Sequence, residues 1–478
     1  MKKKILFVAS EAVPFASSGG LGDVIGSLPS ALQSASVDYD VRVILPLYGT
    51  MDPEWRSKLV KVAETVVTLS WRRQYLGIFK IVKDGVTYYF LDNEYYFKRP
   101  SLYGSYDDGE RYAFFCKAVM DTLPIIEFFP DVLHAHDWQS ALTVIYLKRL
   151  YGLLEKYRDI KSVFTIHNIS YQGVFSHDIL GDVFNLTPGD REIVDYGGSI
   201  NLMKGAIVCA DRVTTVSPTY AKEILTPTYS CGLHYVLEQN KGKLYGILNG
   251  IDTVNYNPAN DLELFVHFDS ESSWKKTENK LKLQKMLGLP QSENTPLIAV
   301  ISRLTSHKGI DLITLAADDI LQDDVQLVVL GKGDYLYEDN LYHIAERYSD
   351  KACTLLMYNR DMSKKIYAGA DIFVMPSKSE PCGLAQMIAS RYGTVPVVRE
   401  TGGLYDSIKD VGCEGGGNGF TFAPYSAWEL LNAVKRAVGA YRDRDGWNAL
   451  VKKVMEVDFS WDKSAKDYIS LYDEFFLR

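Results

Sequence analysis

The sequence predicts an α/β protein built from two doubly wound domains. The chain has 478 residues, and because one hydrophobic core rarely grows past about 250–300 residues, two large domains are expected. Short, continuous apolar runs alternate with longer amphipathic stretches, which is typical of parallel strands covered by helices on both faces. A turn-rich segment, Leu248–Pro258, separates two such series and marks the predicted domain boundary.

Nine of the apolar runs are predicted to be strands. The predicted strands are Lys4–Ala9, Val41–Pro46, Val132–His136, Val163–His167 and Val213–Ser217 in the first series, and Pro296–Ser302, Val325–Gly331, Ile372–Pro376 and Val395–Arg399 in the second. Strands that alternate with helices in this way form Rossmann-like domains, in which ligands bind beyond the carboxyl ends of the strands. We therefore expect two such domains that face each other across a ligand-binding cleft.

Charge and composition exclude several classes of partner. The net charge is −8 and the sequence has no basic cluster, which argues against binding to nucleic acid or to an anionic membrane. The six cysteines show no CxxC spacing, as expected for a reducing cytoplasm. The first apolar run stops at Glu11, too early for a signal peptide, and no run approaches the length of a membrane span. We therefore expect a cytoplasmic protein.

A glycine motif, SGGLGDV at residues 18–24, follows the first predicted strand. Gly19 and Gly20 would let the backbone approach a ligand closely, and the helix that follows would offer N–H groups to an anion. The alternative is an ordinary strand-to-helix turn. Because the motif is not GxGxxG with an acid about 20 residues later, a nicotinamide cofactor is not expected, and no cofactor is predicted.

Two further motifs end predicted strands of the first series. In HAHDW, His134 and His136 share one face of a strand, but no third ligand is evident, so no metal is predicted. Asp137 and Trp138 suit a sugar, because carboxylates accept hydrogen bonds from hydroxyls and indole packs on pyranose rings. The alternative for Trp138 is a buried loop anchor. After the next strand, His167 and Asn168 are candidates to face the cleft, although a lone histidine is more often structural.

The second series contributes charged groups at two strand ends. Arg303 and Lys308 lie at a strand-to-helix junction and suit a pyrophosphate, with a solvated loop as the alternative. In PSKSEPCGL, Glu380 is held in a turn, and Gly383 and Leu384 open a helix whose N-terminus could receive phosphate. The alternative for Glu380 is an ordinary charge at a helix N-terminus. Taken together, these groups favour a sugar linked to a diphosphate.

The motifs, in their order along the chain, resemble those of the bacterial glycogen synthase and plant starch synthase family. They are SGGLGDV, HAHDWQ, FTIHNISYQG, TVSPTYAKEI, GILNGID, SRLTSHKG, PSKSEPCGLAQ and RETGGL, and the resemblance extends from Lys4 to the terminal FSWDKSAKDYISLY. It implies a metal-independent GT-B glycosyltransferase fold. The implied domains are an acceptor domain at residues 1–250, a nucleotide-sugar domain at 251–457, and a last segment, 458–478, that packs back on the first domain.

The resemblance also implies an activity. Glucose would pass from ADP-glucose, or less often UDP-glucose, to the non-reducing 4-hydroxyl of an α-1,4-glucan such as glycogen, with retention of the anomeric configuration. Arg303 and Lys308 would neutralise the diphosphate, Glu380 would orient the donor glucose, His167 would hydrogen-bond that glucose, and Asp137 would lie near the acceptor hydroxyl. Tyr358 would stack on the adenine, and Tyr103 is expected on the acceptor side. The other residues expected to contact the substrates are Gly19, Gly20, Asp23, Trp138, Asn168, Asn249, Gly383 and Leu384.

Two departures from the family pattern leave alternatives open. The family usually has lysine two residues before the first glycine, where this chain has Ser17, and often threonine where this chain has Ala385. Because that lysine is absent, one positive charge near the donor is missing, and weaker binding of the donor is expected. The missing cation leaves open a glucan-binding protein without catalysis. A related transferase with another acceptor is a separate alternative, and the HAHDWQ and HNISYQG motifs argue against it. A phosphorylase of similar fold is disfavoured because such enzymes are much longer.

Overall fold

Two β-sheets, of nine and six strands, organise the chain in two separate units. The computed structural model describes residues 2–477. One unit is formed by Met1–Gly250 together with Trp461–Arg478, and the other by Ile251–Ser460. We call them unit 1 and unit 2.

Unit 1 contains twelve strands among the described residues, and all five strands predicted there are present. They are β1 (Lys3–Val8), β2 (Tyr39–Pro46), β3 (Val60–Leu69), β4 (Arg72–Lys83), β5 (Val86–Asp92), β6 (Val132–His136), β7 (Lys161–Ile166), β8 (Val174–Phe175), β9 (Asp195–Tyr196), β10 (Ser199–Asn201), β11 (Arg212–Thr215) and β12 (Leu244–Gly246).

Helices separate most of these strands. They are α1 (Gly20–Ala35), α2 (Pro53–Ser57), α3 (Glu94–Phe97), α4 (Asp108–Ile125), α5 (Trp138–Tyr146), α6 (Ile179–Asp182), α7 (Arg191–Val194), α8 (Leu202–Cys209), α9 (Pro218–Glu223) and α10 (His234–Gln239), with a π-helical turn at Leu147–Tyr151 and 3₁₀ turns at Pro188–Asp190 and Lys241–Lys243.

The nine-stranded sheet of unit 1 has the order β12-β11-β7-β6-β1-β2-β5-β4-β3. The strands from β12 to β5 pair in parallel. The β4 strand pairs antiparallel with both β5 and β3. The strands β8, β10 and β9 form a separate small antiparallel sheet. The antiparallel β3–β4 extension was not predicted, because its residues alternate between exposed and buried rather than forming a continuous apolar run.

Two hydrophobic cores lie on opposite faces of this sheet. In β1, Leu6 and Val8 enter one core and Ile5 and Phe7 enter the other, and all four side chains are fully buried. Successive side chains of a strand point to opposite faces. A strand covered on both faces must therefore be apolar at every position, which explains the continuous runs in the sequence.

Unit 2 contains the four strands predicted for the second series and two more. They are β13 (Leu297–Ile301), β14 (Gln326–Leu330), β15 (Ala352–Leu355), β16 (Ile372–Met375), β17 (Val395–Arg399) and β18 (Phe420–Phe422). Its helices are α11 (Lys276–Met286), α12 (Ile310–Leu321), α13 (Tyr335–Arg347), α14 (Arg360–Gly369), α15 (Ala385–Arg391), α16 (Gly402–Ser407), α17 (Ala427–Tyr441) and α18 (Arg444–Glu456), with 3₁₀ turns at Ser273–Lys275 and Ser306–Lys308.

The six strands of unit 2 form one parallel sheet in the order β15-β14-β13-β16-β17-β18. The chain passes from β13 outward to β14 and β15, and then crosses to β16 on the other side of β13. The strand order therefore reverses between β13 and β16. In unit 1 it reverses in the same way between β1 and β6. In open α/β sheets, such switch points are where ligands bind.

The last helix, α19 (Trp461–Asp473), belongs to unit 1. It packs against α1, and Trp461, Tyr468 and Tyr472 are buried in the core that contains Phe7. The Ser464 hydroxyl donates a hydrogen bond of 2.5 Å to the carbonyl of Leu248. Among the helices of residues 2–477, none is both long and apolar enough to cross a membrane.

Candidate functional site

Three loops of unit 1 start at the carboxyl ends of three neighbouring strands. The strands β1, β6 and β7 are adjacent and parallel. The loop after β1 carries the glycine motif, the loop after β6 carries Asp137, and the loop after β7 carries His167 and Asn168. Parallel neighbours end at the same edge of a sheet, so the structure brings these predicted residues together at the β1–β6 switch point.

The glycine loop is held by a buried carboxylate, that of Glu11. Its oxygens accept hydrogen bonds from the backbone amides of Ser18 (2.6 Å) and Gly19 (3.2 Å) and from the Ser18 hydroxyl (2.8 Å). The hydroxyl of Tyr103 donates to the same carboxylate at 2.5 Å. Two amides that precede α1 are therefore already bonded to an anion of the protein, which limits the N–H groups that the glycine motif can offer to a ligand.

Ser17, the residue in place of the family's lysine, is exposed on this loop. A Cβ atom at Gly22 would overlap the Ser17 side chain, which shows that Ser17 packs directly on the first turn of α1. Gly19 is the N-cap of α1, and Gly20 and Asp23 lie in its first turn. The sequence-predicted residues of this motif thus surround the N-terminus of a 16-residue helix.

Asp137 forms a strained turn between β6 and α5. Its φ of 56° and ψ of 178° are unusual for a residue other than glycine, and such backbone strain costs about 1–3 kcal/mol and clusters at functional sites. The Asp137 Oδ1 atom accepts hydrogen bonds from the backbone amides of His167 (2.8 Å) and Asn168 (3.4 Å). Burial raises the pKa of this carboxyl to about 7; the two amides oppose that rise and the charge of Glu11 adds to it.

The HxH motif places both rings on one face of β6, as predicted. The ring centroids of His134 and His136 are 4.1 Å apart. His134 bonds through Nδ1 to the hydroxyl of Tyr472 on α19 (2.7 Å) and through Nε2 to the Thr165 hydroxyl (2.5 Å). His136 Nδ1 lies 2.9 Å from Nε2 of His167. The three histidine side chains therefore form a series of contacts that leads from the buried core to the candidate site.

Burial keeps all three histidines neutral. Burial lowers the pKa of His167 to about 3. The pKa values of His134 and His136 are also well below the usual value, first because of burial and then because of the neighbouring histidines. Among residues 2–477, no group of three or more histidine, cysteine or acidic side chains is arranged to hold a metal ion.

Trp138 and Tyr103 are packed within the protein. Trp138 is only 9% exposed, with Tyr112 and Phe175 at ring-centroid distances of 5.4 and 5.7 Å, and a Cβ atom at Gly173 would lie 2.7 Å from its ring. Tyr103 joins the glycine loop through Glu11 and also lies 2.7 Å from the Ser10 hydroxyl. The structure gives both residues an anchoring role, while their contact with a sugar stays a prediction.

Asn249 and Asn168 present amide groups on other loops of unit 1. Asn249 follows β12 and is 6% exposed, and within the described part of the chain its buried Oδ1 atom has no hydrogen-bond partner. Such a buried, unsatisfied acceptor requires an explanation, and a bound ligand or water is one. Asn168 uses its Oδ1 atom to accept the Ser170 amide at 3.0 Å.

In unit 2, a buried ion pair joins the two strands of the switch point. Lys308, after β13, donates from Nζ to Oε2 of Glu380, after β16, at 2.6 Å. The Ser377 hydroxyl donates to the same oxygen at 2.9 Å. The side chains of Lys308 and Glu380 are 16% and 7% exposed. Within residues 2–477, both hydrogen bonds recorded for this carboxylate end on Oε2, which leaves Oε1 for a ligand.

Two glycines allow the loops of unit 2 to approach each other closely. Gly309 has a φ of 75°, and a Cβ atom there would overlap the carbonyl of Pro376 in the Glu380 loop. Gly402 has a φ of 44°, and a Cβ atom there would overlap the carbonyl of Glu380 itself. The backbone of Lys378 also donates to the carbonyl of His307 at 2.9 Å. Glycine at both positions thus fixes the Lys308–Glu380 pair.

The remaining predicted residues of unit 2 lie at the same end of the sheet. Arg303 follows β13 and is exposed, and Tyr358 follows β15 and is 92% exposed. Gly383 has a φ of 72°, and Leu384 is the N-cap of α15, which begins at Ala385. An exposed cation and an exposed aromatic ring therefore lie beyond the parallel sheet, where they are available to a nucleotide.

Sequence reasoning missed three residues that hold the site in place. Glu11, His136 and Ser377 are each fully or almost fully buried and bond directly to predicted site residues. Glu11 carried no distinct signal in the sequence, and Ser377 lay within the PSKSEPCGL motif but was not singled out. His136 lay within a recognised motif, but its contact with His167 depends on the register of β6 against β7.

Comparisons with known proteins find matches that together extend along nearly the whole chain. A family model described as the starch synthase catalytic domain matches residues 4–239, and one described as glycosyl transferases group 1 matches residues 285–450. The chain is 46% identical over 476 residues to the glycogen synthase of Anoxybacillus flavithermus and 47% identical over 474 residues to that of Desulforamulus reducens. In both cases 98% of each chain is covered.

Solved structures show the same fold. The catalytic domain of starch synthase IV from Arabidopsis thaliana, bound to ADP and acarbose, matches with a TM-score of 0.92 and 35% identity over all of both chains. A sucrose-phosphate synthase from Thermosynechococcus elongatus, at 17% identity, a TM-score of 0.63 and 99% coverage of both chains, shares the fold alone. These matches confirm the predicted α/β glycosyltransferase fold. Because relatives of 46–47% identity extend over the full length, the chain belongs to the glycogen synthase and starch synthase family of glycosyltransferases.

Proposed function

We propose that this chain transfers glucose from ADP-glucose to the non-reducing 4-hydroxyl of an α-1,4-glucan, with retention of the anomeric configuration. The observation that carries the proposal is the buried Lys308–Glu380 pair at the switch point of unit 2, with Arg303 on the same loop as Lys308. The starch synthase IV structure, which holds ADP and acarbose, supports both the nucleotide and the glucan-like acceptor.

In the proposed reaction, unit 2 binds the nucleotide sugar. The transition state of glycosyl transfer carries positive charge on the sugar and growing negative charge on the leaving diphosphate. Lys308 and Arg303 would stabilise that negative charge, because preorganised donors are most effective where charge develops. Glu380, held through Oε2, would contact the glucose with Oε1. Tyr358 would stack on the adenine, and Gly383 and Leu384 would approach the phosphates.

Unit 1 is the proposed acceptor domain. His167 is neutral and partly exposed, so it would hydrogen-bond a hydroxyl of the donor glucose without adding charge. Asp137 would lie near the acceptor hydroxyl, and its pKa of about 7 is suited to exchanging a proton near neutral pH. Asp23, Asn168 and Asn249 would contribute donor contacts. The cytoplasmic location stays a prediction from the sequence.

Release of nucleotide tests this proposal directly. We expect ADP to be released from ADP-glucose when glycogen is present and not when it is absent, with slower release of UDP from UDP-glucose. Carbon-13 NMR of the elongated glucan would report α-1,4 linkages. Absence of release from both donors, with glycogen binding intact, would instead identify a glucan-binding protein. Release that required a different acceptor would identify the related transferase.

Replacing Ser17 with lysine is expected to increase the activity with ADP-glucose. In Ser17→Lys, the exposed loop position would extend a cation toward the donor phosphates, as the family pattern implies. Because a charged hydrogen bond is worth about 1.5–3 kcal/mol, we expect kcat/KM for ADP-glucose to rise about tenfold or more. Steady-state kinetics at two salt concentrations would measure it.

The control for this variant is Ser17→Met, which has similar length and no charge. The gain should be absent in Ser17→Met and should shrink at high salt in Ser17→Lys, because salt screens exposed charges. Equal kinetics for the lysine and methionine variants would show that charge at this position does not act on the donor.

A further inference from the structure

The side chain of His136 contacts the site residue His167 and is itself no part of the proposed reaction. His136 is fully buried on β6, and its ring stacks against Phe7 with a centroid distance of 5.3 Å and an interplanar angle of 13°. Its Nδ1 atom is 2.9 Å from Nε2 of His167. Within residues 2–477, its buried Nε2 atom has no hydrogen-bond partner.

This contact admits two arrangements of protons. A neutral imidazole has one N–H group and one acceptor nitrogen, and burial keeps both rings neutral. In the first arrangement, His136 donates from Nδ1 to Nε2 of His167, and His167 carries its proton on Nδ1. In the second, His167 donates from Nε2 to Nδ1 of His136, and His136 then carries no proton on Nδ1 but one on Nε2.

The two arrangements differ in what they leave buried without a partner. The second leaves the Nε2–H group of His136 buried with no acceptor, and buried N–H groups without partners are rarer than unsatisfied acceptors. The stacked Phe7 ring cannot accept that hydrogen, because the N–H lies in the plane of an imidazole that is nearly parallel to it. The first arrangement leaves only a lone pair unsatisfied.

We propose that His136 is a positioning residue that fixes His167 as the Nδ1–H tautomer. His167 is partly exposed and its Nδ1 atom has no partner within the described chain, so this N–H is available to a ligand. The side chain therefore presents a hydrogen-bond donor, not an acceptor. The inference rests on the proposed function, in which His167 contacts a hydroxyl of the donor glucose.

Histidine NMR of the whole chain without ligand tests the tautomer. Two-bond proton–nitrogen correlation spectra of protein labelled with nitrogen-15 histidine distinguish protonated from unprotonated ring nitrogens. The chain has only eight histidines, and the His167→Gln variant assigns the signal. Free imidazole favours the Nε2–H form, so an Nδ1–H signal for His167 would require a partner. An Nε2–H signal in the wild-type protein would overturn the proposal.

A pair of variants separates positioning from packing. His134 and His136 are equally buried on the same face of β6, but only His136 hydrogen-bonds His167. In His136→Phe we expect kcat/KM to fall about 10–100-fold, as for partners that orient other functional histidines, and the His167 tautomer to change. In His134→Phe we expect lower stability with the His167 signal and the activity of the folded fraction retained.

A conservative variant provides the rescue. The amide nitrogen of His136→Asn lies near the position of Nδ1 and can donate to His167, so this variant should recover most of the activity that His136→Phe loses. Equal losses in His136→Phe and His134→Phe, with an unchanged His167 tautomer, would overturn the proposal. Failure of the proposed function would appear differently, as absence of nucleotide release from the wild-type protein whatever the tautomer.

Discussion

Replacing Lys308 with alanine is expected to lower kcat for glucose transfer by about 10²–10³, the usual cost of removing one preorganised donor from a developing anion. The Nζ atom of Lys308 lies 2.6 Å from Glu380 and is largely buried, so its position is fixed before the donor binds. A group held in this way stabilises the leaving diphosphate without reorganisation. Steady-state kinetics with ADP-glucose and glycogen would measure the loss.

The partner of Lys308 gives a second variant of the same test. Glu380→Gln keeps an acceptor for Lys308 and removes the charge near the sugar, and we expect a loss of similar size. Because both residues belong to one buried pair, the double variant should lose much less than the product of the two single losses. Full additivity would show that the pair does not act as a unit.

Two controls accompany the Lys308→Ala variant: a measurement of its stability and a variant of a nearby exposed lysine. Removing one partner costs about 3–5 kcal/mol when a pair is fully buried and less for this partly buried one. The folded fraction must therefore be measured by circular dichroism. Lys378→Ala removes the same charge from an exposed position in the Glu380 loop and should leave kcat within about threefold. A Lys308→Ala variant that is folded and loses less than tenfold would contradict the assigned role.

Replacing Asp137 with asparagine is expected to make unit 1 more stable at neutral pH and less active. Burial raises the pKa of the Asp137 carboxyl from 3.8 to about 7, so the folded state holds this proton between about pH 4 and 7 while the unfolded state has released it. The unfolding free energy of the wild type therefore falls as the pH rises through that window, by up to about 1.4 kcal/mol per pH unit from this group.

The Asp137→Asn variant has no carboxyl group at this position, so its stability lacks this dependence on pH. Asparagine can still accept the amides of His167 and Asn168 through Oδ1 and carries no charge at any pH. Near pH 4 the two proteins should be similarly stable, and above pH 7 the variant should be more stable by at most roughly 4 kcal/mol. The buried histidines change stability in the opposite direction with pH, but they are common to both proteins and cancel in the difference.

Hydrogen exchange of β6 and β7 measured from pH 5 to 8 would report the local free energy of opening in unit 1. Asp159→Asn is the control, because it makes the same substitution at a carboxylate that is 85% exposed. A constant difference for Asp137→Asn would show that Asp137 is already ionised at low pH. Activity that was unaffected would remove Asp137 from the proposed mechanism.

Much of the fold was predictable because a strand covered on both faces must be apolar throughout. Val132–His136 and Val395–Arg399 were predicted with the observed bounds, and the other seven strands to within two residues at each end. The β3–β4 hairpin was missed because its residues alternate and because Gly77 interrupts β4. The short strands β8–β10 carry too few residues for a periodic signal.

The residues of the candidate site were also predicted only in part. Lys308 and Glu380 were identified separately, each from a charge beside a turn, but their 2.6 Å contact depends on the adjacency of β13 and β16, which are more than 70 residues apart in the chain. The role of Glu11 in holding the glycine loop was missed, because a single glutamate after a strand has no distinguishing spacing.

The sequence by itself determined the class of fold, the order of the strands along the chain and the residues that lie where the strands end, because periodicity and turn chemistry are local properties. The tertiary structure alone decided which of those residues meet. Strand order in the sheet pairs β6 with β7, and this pairing places His136 against His167 and the Asp137 carboxylate on the amides of the next loop. Burial then shifts their pKa values, since the cost of charge depends on surroundings that no local pattern specifies.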